Sequence, residues 1–431
     1  MLGPNSRETR LWHGQVRMAD VKSSEVVIVR GQGAYVWDER GHRMLDVPAG
    51  LWYCNIGHGR REMASAISAQ VEQLEAYSTF QQYANRPALD LAERLVASAP
   101  LGPGAKVFFG NGGSDAVEIA CKLARRYWAA LGSPSKRTII ARDRSYHGLH
   151  GFGTSIGGLD ANREGYGELI PDVIRVETNS WAALEDAVRS VGADAIATFI
   201  CEPIIGAGGI IHPPEGYLEN VERICRDNDI LFIVDEVITG FGRTGEMFAC
   251  DRYGLQPDFM LFAKAVTSGY IPLGGAIIAE RVAEPFWADG STHVFRHGLT
   301  YAGHPTACAA ALMNLDIISR EGLVDRAREL ESVLASALEP LGDHPRVLEV
   351  RTGVGLLGGV QLVDAHDAPY VCEWCCDHGI LARLVGDGDT IQISPPLIIT
   401  EAEIHEIAQV IADAVEQVDV QHHASAPATT S

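Results

Sequence analysis

The sequence predicts an α/β protein with a large domain built on a mostly parallel sheet and a smaller α+β domain. Three observations support this prediction. Between residues 60 and 325, short apolar runs alternate with helical segments, which is the order expected of parallel strands and the helices that cover both faces of their sheet. After residue 321 the alternation gives way to a mixture of β-type runs and helices. The first 60 residues contain a helical segment and then a small β meander.

The expected domain boundaries follow these changes of pattern. Residues 1–58 and 323–420 are expected to form the two parts of the smaller domain, residues 59–322 the large domain, and the polar segment 421–431 a disordered tail. The β-type runs are residues 25–30, 34–38, 44–47, 106–109, 138–141, 195–201, 231–234, 259–263, 275–279, 346–351, 356–363 and 390–394. The helical segments include residues 114–131, 180–191, 217–227, 323–341, 368–378 and 400–418.

The charge balance excludes several classes of partner. The 431 residues include 35 Lys and Arg against 56 Asp and Glu, which gives a net charge of −21. Proteins that bind nucleic acid or anionic lipid need a basic surface, so neither partner is expected. A small anion in a local pocket is compatible with this charge, because the field at a site is set by the groups nearby.

The N-terminal segment and the cysteines indicate a cytoplasmic protein. Residues 1–20 contain several charged side chains and no continuous apolar stretch, so we expect no secretory signal. The nine scattered cysteines are typical of reduced thiols in the cytosol. Cys372, Cys375, Cys376 and His378 could suggest a metal site, but no second ligand pair stands at zinc spacing, so no metal is expected.

A glycine pattern at residues 353–358 (GVGLLG) suggests a different function. Its spacing matches the dinucleotide-binding fingerprint of NAD-dependent oxidoreductases. That fingerprint requires a helix to begin at the glycines, so that the helix N-terminus can hold the pyrophosphate. Here the glycines lead into the β-type run 356–363, so we expect a strand–turn–strand and no dinucleotide site.

Two strand ends in the middle of the chain carry groups suited to catalysis. The run 231–234 leads to Asp235 and Glu236, and an acid at the carboxyl end of a parallel strand points into the crevice where ligands bind. The residues that follow (237–245, VITGFGRTG) indicate a Gly-rich loop rather than a helix capped by this acid. The run 259–263 leads to Lys264, and residues 265–279 carry no charge, so we expect a partly desolvated lysine. Desolvation lowers the pKa of an amine and so favours a Schiff-base nucleophile.

A third strand end has the features of an anion site. The run 106–109 leads into residues 110–115 (GNGGSD) and then into a helix, for which Ser114 is the expected N-cap. Free backbone N–H groups, a hydroxyl group and the positive end of a helix bind phosphate well, although a plain capped turn has the same sequence features. A lysine, an upstream acid and a phosphate cradle are together the set that pyridoxal phosphate (PLP) requires.

These residues lie within longer stretches that resemble the class III aminotransferases, a family of fold-type I PLP enzymes, and most of all the amine:pyruvate (ω-) transaminases. The resemblance extends over residues 11–418, nearly the whole chain. The matching stretches are residues 50–59 (GLWYCNIGHG), 125–128 (RRYW), 146–148 (YHG), 202–209 (EPIIGAGG), 235–245 (DEVITGFGRTG), 263–269 (AKAVTSG), 297–305 (HGLTYAGHP) and 394–397 (SPPL).

The resemblance implies a role for each matching residue around the cofactor ring. Lys264 would form the Schiff base and move a proton between the substrate carbon and the cofactor. Asp235 would keep the pyridine nitrogen protonated. Tyr146 would stack on one face of the ring with His147 beside it, and Val237 would contact the other face.

The same resemblance assigns the phosphate end and the subunit arrangement. Gly113 and Ser114 would hold the phosphate, while Gly112 stands where relatives commonly have a serine, so that one hydroxyl group is missing. Thr300 of a partner subunit would complete the phosphate site, which implies a homodimer and is also compatible with a tetramer. Glu202 matches a strand-end glutamate near the cofactor.

On the substrate side, the resemblance implies that Arg383 binds the carboxylate of pyruvate or alanine and swings away when an apolar amine occupies the pocket. Relatives that use ω-amino acids with glutamate or 2-oxoglutarate often have, where Ala207 stands, a glutamate that can pair with this arginine. Trp52 and Phe80 would form aromatic walls of the pocket. From the residues alone, either aromatic could instead belong to the core, and Arg383 could be a solvated loop residue.

We therefore expect a ping-pong aminotransferase that moves nitrogen from a primary amine or ω-amino compound to a keto acid, with pyruvate as the expected acceptor. A PLP-dependent aminomutase or decarboxylating relative is the first alternative and would need no keto-acid co-substrate. An NAD-dependent oxidoreductase is more remote. A catalytically silent binding subunit is disfavoured because Lys264, Asp235 and Thr300 are all present.

Overall fold

A computed structural model describes residues 9–22 and 25–425, and the side chains up to residue 418. The strands are β1 (Ile28–Gln32), β2 (Tyr35–Asp38), β3 (Arg43–Asp46), β4 (Lys106–Gly110), β5 (Thr138–Arg142), β6 (Val173–Val176), β7 (Ile196–Cys201), β8 (Leu231–Asp235), β9 (Phe259–Phe262), β10 (Gly274–Ile278), β11 (Val347–Val354), β12 (Leu357–Leu362), β13 (Ile380–Leu381), β14 (Leu384–Val385) and β15 (Thr390–Ile393). The helices are α1 (Met18–Val21), α2 (Ala49–Trp52), α3 (Arg61–Leu74), α4 (Arg86–Ser98), α5 (Gly113–Ala130), α6 (Gly151–Ile156), α7 (Trp181–Val191), α8 (Tyr217–Asp227), α9 (Ala249–Tyr253), α10 (Glu280–Trp287), α11 (Pro305–Arg320), α12 (Leu323–Leu338), α13 (Ala368–Asp377) and α14 (Glu401–Ser425).

The largest sheet has seven strands in the order β4–β10–β9–β8–β7–β5–β6. All neighbouring pairs are parallel except those of β10, which runs antiparallel to β4 and to β9. Every residue of β5, β7, β8, β9 and β10 is buried, as expected of strands covered by helices on both faces. The predicted mostly parallel sheet is therefore confirmed.

Two four-stranded sheets complete the fold. One has the order β1–β2–β3–β13 and the other the order β11–β12–β15–β14. Because β13 pairs in parallel with β3, Ile380 facing Leu45, the N-terminal meander is hydrogen-bonded to the C-terminal part of the chain. Strands β6, β13 and β14 were not expected from the sequence, since runs of two to four residues carry almost no periodic signal.

The glycine pattern at residues 353–358 forms a hairpin turn. Strands β11 and β12 are antiparallel, with Val354 opposite Leu357, and no helix begins at these glycines. Gly355 has a positive φ of 55°, and a Cβ atom there would collide with the Arg243 carbonyl oxygen. The glycines therefore serve a tight turn, as predicted, and the structure offers no dinucleotide fingerprint to support an NAD-dependent enzyme.

The last helix extends into the segment that was expected to form the tail. Helix α14 runs from Glu401 to Ser425, and residues 426–431 lie outside the described part of the chain. The disorder expected of residues 421–431 stays a prediction.

The remaining structural features concern the thiols and possible membrane contacts. All nine cysteines are unpaired. On α13, the His378 ring stacks on the Trp374 ring with centroids 3.5 Å apart, and no three His, Cys, Asp or Glu side chains gather as a metal site among the described residues. Within the same residues, no helix combines the length and the apolar character that a membrane span requires.

Candidate active site

Five parallel strands of the large sheet end at one cavity of about 130 Å³. Strands β4, β5, β7, β8 and β9 contribute its lining because parallel strands present their carboxyl ends at the same edge of a sheet. The lining residues are Gly113, Ser114, Tyr146, His147, Gly148, Glu202, Asp235, Val237, Ile238 and Lys264. The structure thus brings together every residue predicted for the cofactor except Thr300, and it adds Gly148 and Ile238.

A buried hydrogen-bonded pair, His147 and Asp235, lies at the end of β8. The Nδ1–H of His147 donates to Asp235 Oδ2 at 2.8 Å, and the Val237 N–H donates to Asp235 Oδ1 at 3.1 Å. Asp235 and His147 are both almost fully buried, and His147 Nε2 has no partner among the described atoms. The carboxylate is therefore fixed in place at the floor of the cavity, where it can face a protonated ring nitrogen.

Lys264 follows β9 on a strained backbone. Its φ is +48°, which costs a residue other than glycine about 1–3 kcal/mol and is typical of functional sites. Burial lowers the pKa of Lys264 to about 8, with a further lowering by Arg383, although Asp235 and Glu202 act in the opposite direction. The amine therefore loses its proton close to neutral pH and can act as a nucleophile or a base.

Glu202, which follows β7, forms hydrogen bonds with the backbone of two loops. Its carboxylate accepts hydrogen bonds from the Tyr146 N–H at 3.1 Å and from the Gly206 N–H at 3.0 Å. Burial raises the pKa of Glu202, and burial also raises the pKa of the Tyr146 hydroxyl. Glu202 thus fixes the backbone beneath Tyr146, whose ring keeps a protonated hydroxyl group toward the cavity.

The N-terminus of α5 differs in detail from its prediction. Gly112 is the N-cap, with an extended backbone, and Ser114 lies inside the first turn. The Ser114 Oγ accepts a hydrogen bond from the Leu149 N–H at 3.2 Å, while Asp115 Oδ2 accepts one from the Asn111 N–H at 2.8 Å. The expectation that Ser114 caps the helix is therefore wrong, because Gly112 takes the cap position and the Ser114 hydroxyl bonds to Leu149 rather than to the backbone of its own helix.

Small residues leave space at this helix end. A Cβ atom on Gly113 would lie 3.0 Å from Val237 Cγ1, and one on Gly148 would collide with Ser114 Oγ. Gly148 also has a φ of +81°, which other residues rarely adopt. The first turn of α5 thus opens onto the cavity with its N–H groups free of intrahelical partners, which suits a phosphate.

A second wall of the site comes from the two ends of the chain. The Arg383 Cζ lies 4.6 Å from the centroid of the Trp52 ring, and the Lys264 Nζ lies 5.0 Å from the same centroid. Trp52 is only 3% exposed, and Ala207 packs against the apolar cluster that includes it. Arg383 is therefore a half-buried residue beside Trp52 rather than a solvated loop residue, and Ala207 offers it no polar side chain.

Arg383 has a hydrogen-bond partner that the sequence did not reveal. Its Nη1 donates to Gln392 Oε1 at 3.2 Å across the β14–β15 hairpin. At the tip of this hairpin, the Gly386 N–H donates to the Ala207 carbonyl oxygen at 2.8 Å. Only the hairpin register places these residues together, and that register is not visible in two-residue strands.

Phe80 and Thr300 do not reach the Lys264 cavity of their own chain. Phe80 is 46% exposed and its ring packs on Gly298, close to the exposed Thr300. Phe80, Tyr83, Trp287 and Gly298 are among the residues that line a separate, open cavity of about 620 Å³. The expected aromatic wall at Phe80 is thus absent from the Lys264 cavity within one chain, because Phe80 lines the separate cavity instead.

Comparisons with known proteins identify the family. The model of the family described as "Aminotransferase class-III" matches residues 18–415. A protein named putrescine–pyruvate aminotransferase, from Pseudomonas aeruginosa, is 38% identical over 419 residues, which cover 91% of this chain and 90% of that protein. The chloroplastic gamma aminobutyrate transaminase 3 of Solanum lycopersicum is 36% identical over 412 residues, which cover 89% of this chain and 79% of that protein.

Solved structures agree with this result. An amine transaminase from an uncultivated Pseudomonas species, in its PLP-bound form, superposes with a TM-score of 0.91 at 36% identity and covers 96% of this chain and 100% of that one. An (S)-enantioselective ω-transaminase from Thermomicrobium roseum has a TM-score of 0.91 at 38% identity, over 94% and 96% of the two chains. The amine of Lys264, the fixed carboxylate of Asp235 and the open helix end at Gly113 fit PLP. The chain therefore belongs to the class III aminotransferases, which depend on PLP.

Proposed function

We propose that this protein transfers an amino group from a primary amine or ω-amino compound to pyruvate by a ping-pong mechanism. The observation that supports this proposal most directly is that the Lys264 amine and the Arg383 guanidinium face the same buried Trp52 ring, at 5.0 and 4.6 Å. One pocket thus combines a nucleophilic amine with a cation that can bind a carboxylate. The apolar Trp52 wall suits an amine that has no carboxylate.

The choice of pyruvate follows from the surroundings of Arg383. No carboxylate forms an ion pair with Arg383 in the part of the chain that the structure describes, so its charge is available to a substrate. A relative of 38% identity is named for the use of putrescine and pyruvate, which supports a carboxyl-free donor and the same acceptor. Diamines, arylalkylamines and short ω-amino acids are all donors of the proposed class.

Bound PLP supplies an electron sink and carries the amino group between the two substrates. The protein would hold it through Lys264, through Asp235 at the ring nitrogen, and through Tyr146 and Val237 on the two ring faces, with His147 fixing Asp235. Glu202 would keep Tyr146 in place through its backbone. The carboxylate of Asp235, held by His147, would favour a protonated ring nitrogen because opposite charges stabilise each other in a buried site.

Lys264 would also move the proton. Once released from the cofactor, its Nζ would remove the proton from the carbon that bears the donor's amino group. In the second half-reaction the same nitrogen would deliver a proton to the corresponding carbon of the keto acid. A pKa of about 8 suits both tasks, since a general base works best when its pKa lies near the working pH.

The phosphate site would be completed by a second copy of the chain. Gly113 and Ser114 line the cavity, whereas Thr300 is exposed outside it, on the surface that also carries Phe80. On that face Phe80, Tyr83 and Trp287 are 46%, 49% and 67% exposed around the larger cavity, which is an unusual concentration of exposed aromatic surface. We infer a homodimer in which this face brings Thr300 and Phe80 to the partner's site; a tetramer of two such dimers is compatible.

Subunit mixing tests this arrangement. Thr300→Ala and Lys264→Ala chains are each expected to have low activity. When they are mixed and allowed to exchange, half of the dimers contain one intact site, so activity should return to about a quarter of that of the wild type. Mixed samples that stay as inactive as their parents would contradict a shared site.

The nine unpaired cysteines support a cytoplasmic location for the dimer.

The function itself is tested by a panel of amines with pyruvate or 2-oxoglutarate as acceptor. We expect alanine to form from pyruvate with at least one diamine or arylalkylamine, and the initial rates to give the parallel lines of a ping-pong mechanism. A donor that is converted without any keto acid would instead support the aminomutase or decarboxylating alternative.

A further inference from the structure

We propose that Gln392 is a positioning residue for Arg383, a neutral partner that holds the guanidinium in the pocket without neutralising it. This inference rests on the proposed function and concerns how the enzyme binds its keto acid. Gln392 lies directly across the β14–β15 hairpin from Arg383. The Gln392 N–H donates to the Arg383 carbonyl oxygen at 2.9 Å, and the Arg383 Nη1 donates to Gln392 Oε1 at 3.2 Å.

The other end of the Gln392 amide is also held. Gln392 is fully buried, and its Nε2 donates to Ser394 Oγ at 2.7 Å and faces the Pro48 carbonyl oxygen at 3.4 Å. A carbonyl oxygen can only accept, so the amide nitrogen must face Pro48 and the amide oxygen must face Arg383. The buried amide is therefore oriented, with its oxygen toward Arg383 and its nitrogen toward Ser394 and Pro48.

The neutrality of this partner matters for a substrate carboxylate. An amide oxygen satisfies one guanidinium N–H and leaves the positive charge, and the remaining N–H groups, to a ligand. A carboxylate at the same place would form a charge-assisted pair with Arg383, which a keto acid would have to displace. An apolar side chain would leave Arg383 without a polar partner on the hairpin. Substrate binding would then include the entropic cost of ordering the guanidinium, which would lower the affinity.

The expected consequence differs between the two half-reactions. Binding of a keto acid depends on the free charge of Arg383, whereas an amine without a carboxylate makes no such contact. Gln392 therefore determines the affinity for the acceptor, and it acts through Arg383 rather than by touching the reacting atoms.

The test uses the holoenzyme with Gln392→Glu, Gln392→Met, Arg383→Met and the double variant Gln392→Glu/Arg383→Met. Two quantities are measured: the KM for pyruvate at a fixed amine concentration, and the dissociation constant of propanoate by calorimetry. Propanoate has the carboxylate of the substrate but no carbonyl group to react. We expect Gln392→Glu to raise both quantities about tenfold and Gln392→Met about threefold. The effect should fall on KM for pyruvate and not on the single-turnover rate with a carboxyl-free amine.

The double variant isolates the contact. In the Arg383→Met background, Gln392→Glu should no longer change propanoate binding, because the partner through which it acts is gone. An unchanged KM and dissociation constant in Gln392→Glu, or an equal effect with and without Arg383, would overturn the proposal. If Gln392→Glu fails to fold, the near-isosteric Gln392→Met decides by the same criteria.

Failure of the proposed function gives a different result. If the wild-type enzyme does not use pyruvate, the proposed acceptor is wrong, yet propanoate binding in the same variants still tests Gln392. A wild-type enzyme that does not bind propanoate would contradict the positioning role as well.

Discussion

The two ends of the active site are built in different ways. At the cofactor end, Asp235 and Lys264 stand at the ends of buried parallel strands, and the carboxylate is fixed by a hydrogen bond from His147. At the substrate end, Trp52 and Arg383 belong to a turn and a hairpin from opposite ends of the chain. There the partners of Arg383 are a neutral amide and an aromatic ring.

Backbone strain is present at both ends but is more concentrated at the substrate end. Lys264 has a φ of 48°, whereas three residues of the Trp52 turn have positive φ angles: Ala49, Gly50 and Trp52 at 46°, 64° and 61°. This turn is held by Asp46, whose two oxygens both accept from the Gly50 N–H at 2.9 Å and whose Oδ2 lies 2.7 Å from His58 Nε2. We therefore expect changes in the Trp52 turn to alter substrate binding more than cofactor binding.

The largest expected effect comes from Lys264→Ala. Loss of the nucleophile and base should lower turnover by about 10³-fold or more, since both covalent and proton-transfer catalysis are removed. The measurement is the steady-state rate with an amine and pyruvate. In the wild type, borohydride reduction should attach PLP to the peptide that contains Lys264. A variant that turns over at the wild-type rate would remove Lys264 from the mechanism.

Asp235→Asn should have the next largest effect. The amide keeps the shape of the side chain but removes the charge that faces the ring nitrogen, so we expect kcat to fall by about 10²–10³-fold, as for other losses of a fixed catalytic charge. The change is measured in single turnovers with a saturating amine. Asp251→Asn is a suitable control, because this acid lies on α9, outside the lining of the cavity. Equal losses in both variants would indicate a general structural effect.

The cofactor end should also depend on pH. Burial lowers the pKa of Lys264 to about 8, so the fraction of Lys264 in the neutral amine form increases around that pH. The rate at which cofactor-free protein takes up PLP should therefore rise about tenfold from pH 7 to 9. Stopped-flow absorbance follows this uptake. Pyridoxamine phosphate, which has no aldehyde, is the control and should show no such rise. A rise centred near the usual lysine pKa would argue against a desolvated amine.

The smallest of these effects is expected at the substrate end. Asp46→Asn weakens the contacts that hold the Trp52 turn and should raise the KM for amines about fivefold, which corresponds to the roughly 1 kcal/mol of a typical hydrogen bond. The affinity for PLP should stay within about twofold of the wild type, since Asp46 does not line the cofactor cavity. Titration of the cofactor-free variant with PLP separates the two quantities. If the binding of amines and the affinity for PLP weaken to the same extent, the two ends of the site do not act independently and the comparison is wrong.

The same distinction explains what could be predicted from the sequence. Asp235, Lys264 and the glycine-rich end of β4 were found because an apolar run followed by a functional residue is visible in one dimension, and the parallel sheet then collects the strand ends. The partnership of Arg383 with Gln392 was missed, because it depends on the register of a hairpin with a two-residue strand. The N-cap was misassigned to Ser114 because Gly112, Ser114 and Asp115 compete for the same helix end.

The short strand β13 has a kinetic consequence. It pairs with β3 and ends at Leu381, while β14 begins at Leu384 and pairs with β15, so residues 382–383 join two different sheets. Both ends of this link are hydrogen-bonded, and the backbone of Arg383 therefore has little freedom to move. Any movement of the guanidinium would therefore have to come from rotation of its own side chain, after its hydrogen bond to Gln392 has been broken. The exchange of an amine for a keto acid would then not have to wait for a loop to open.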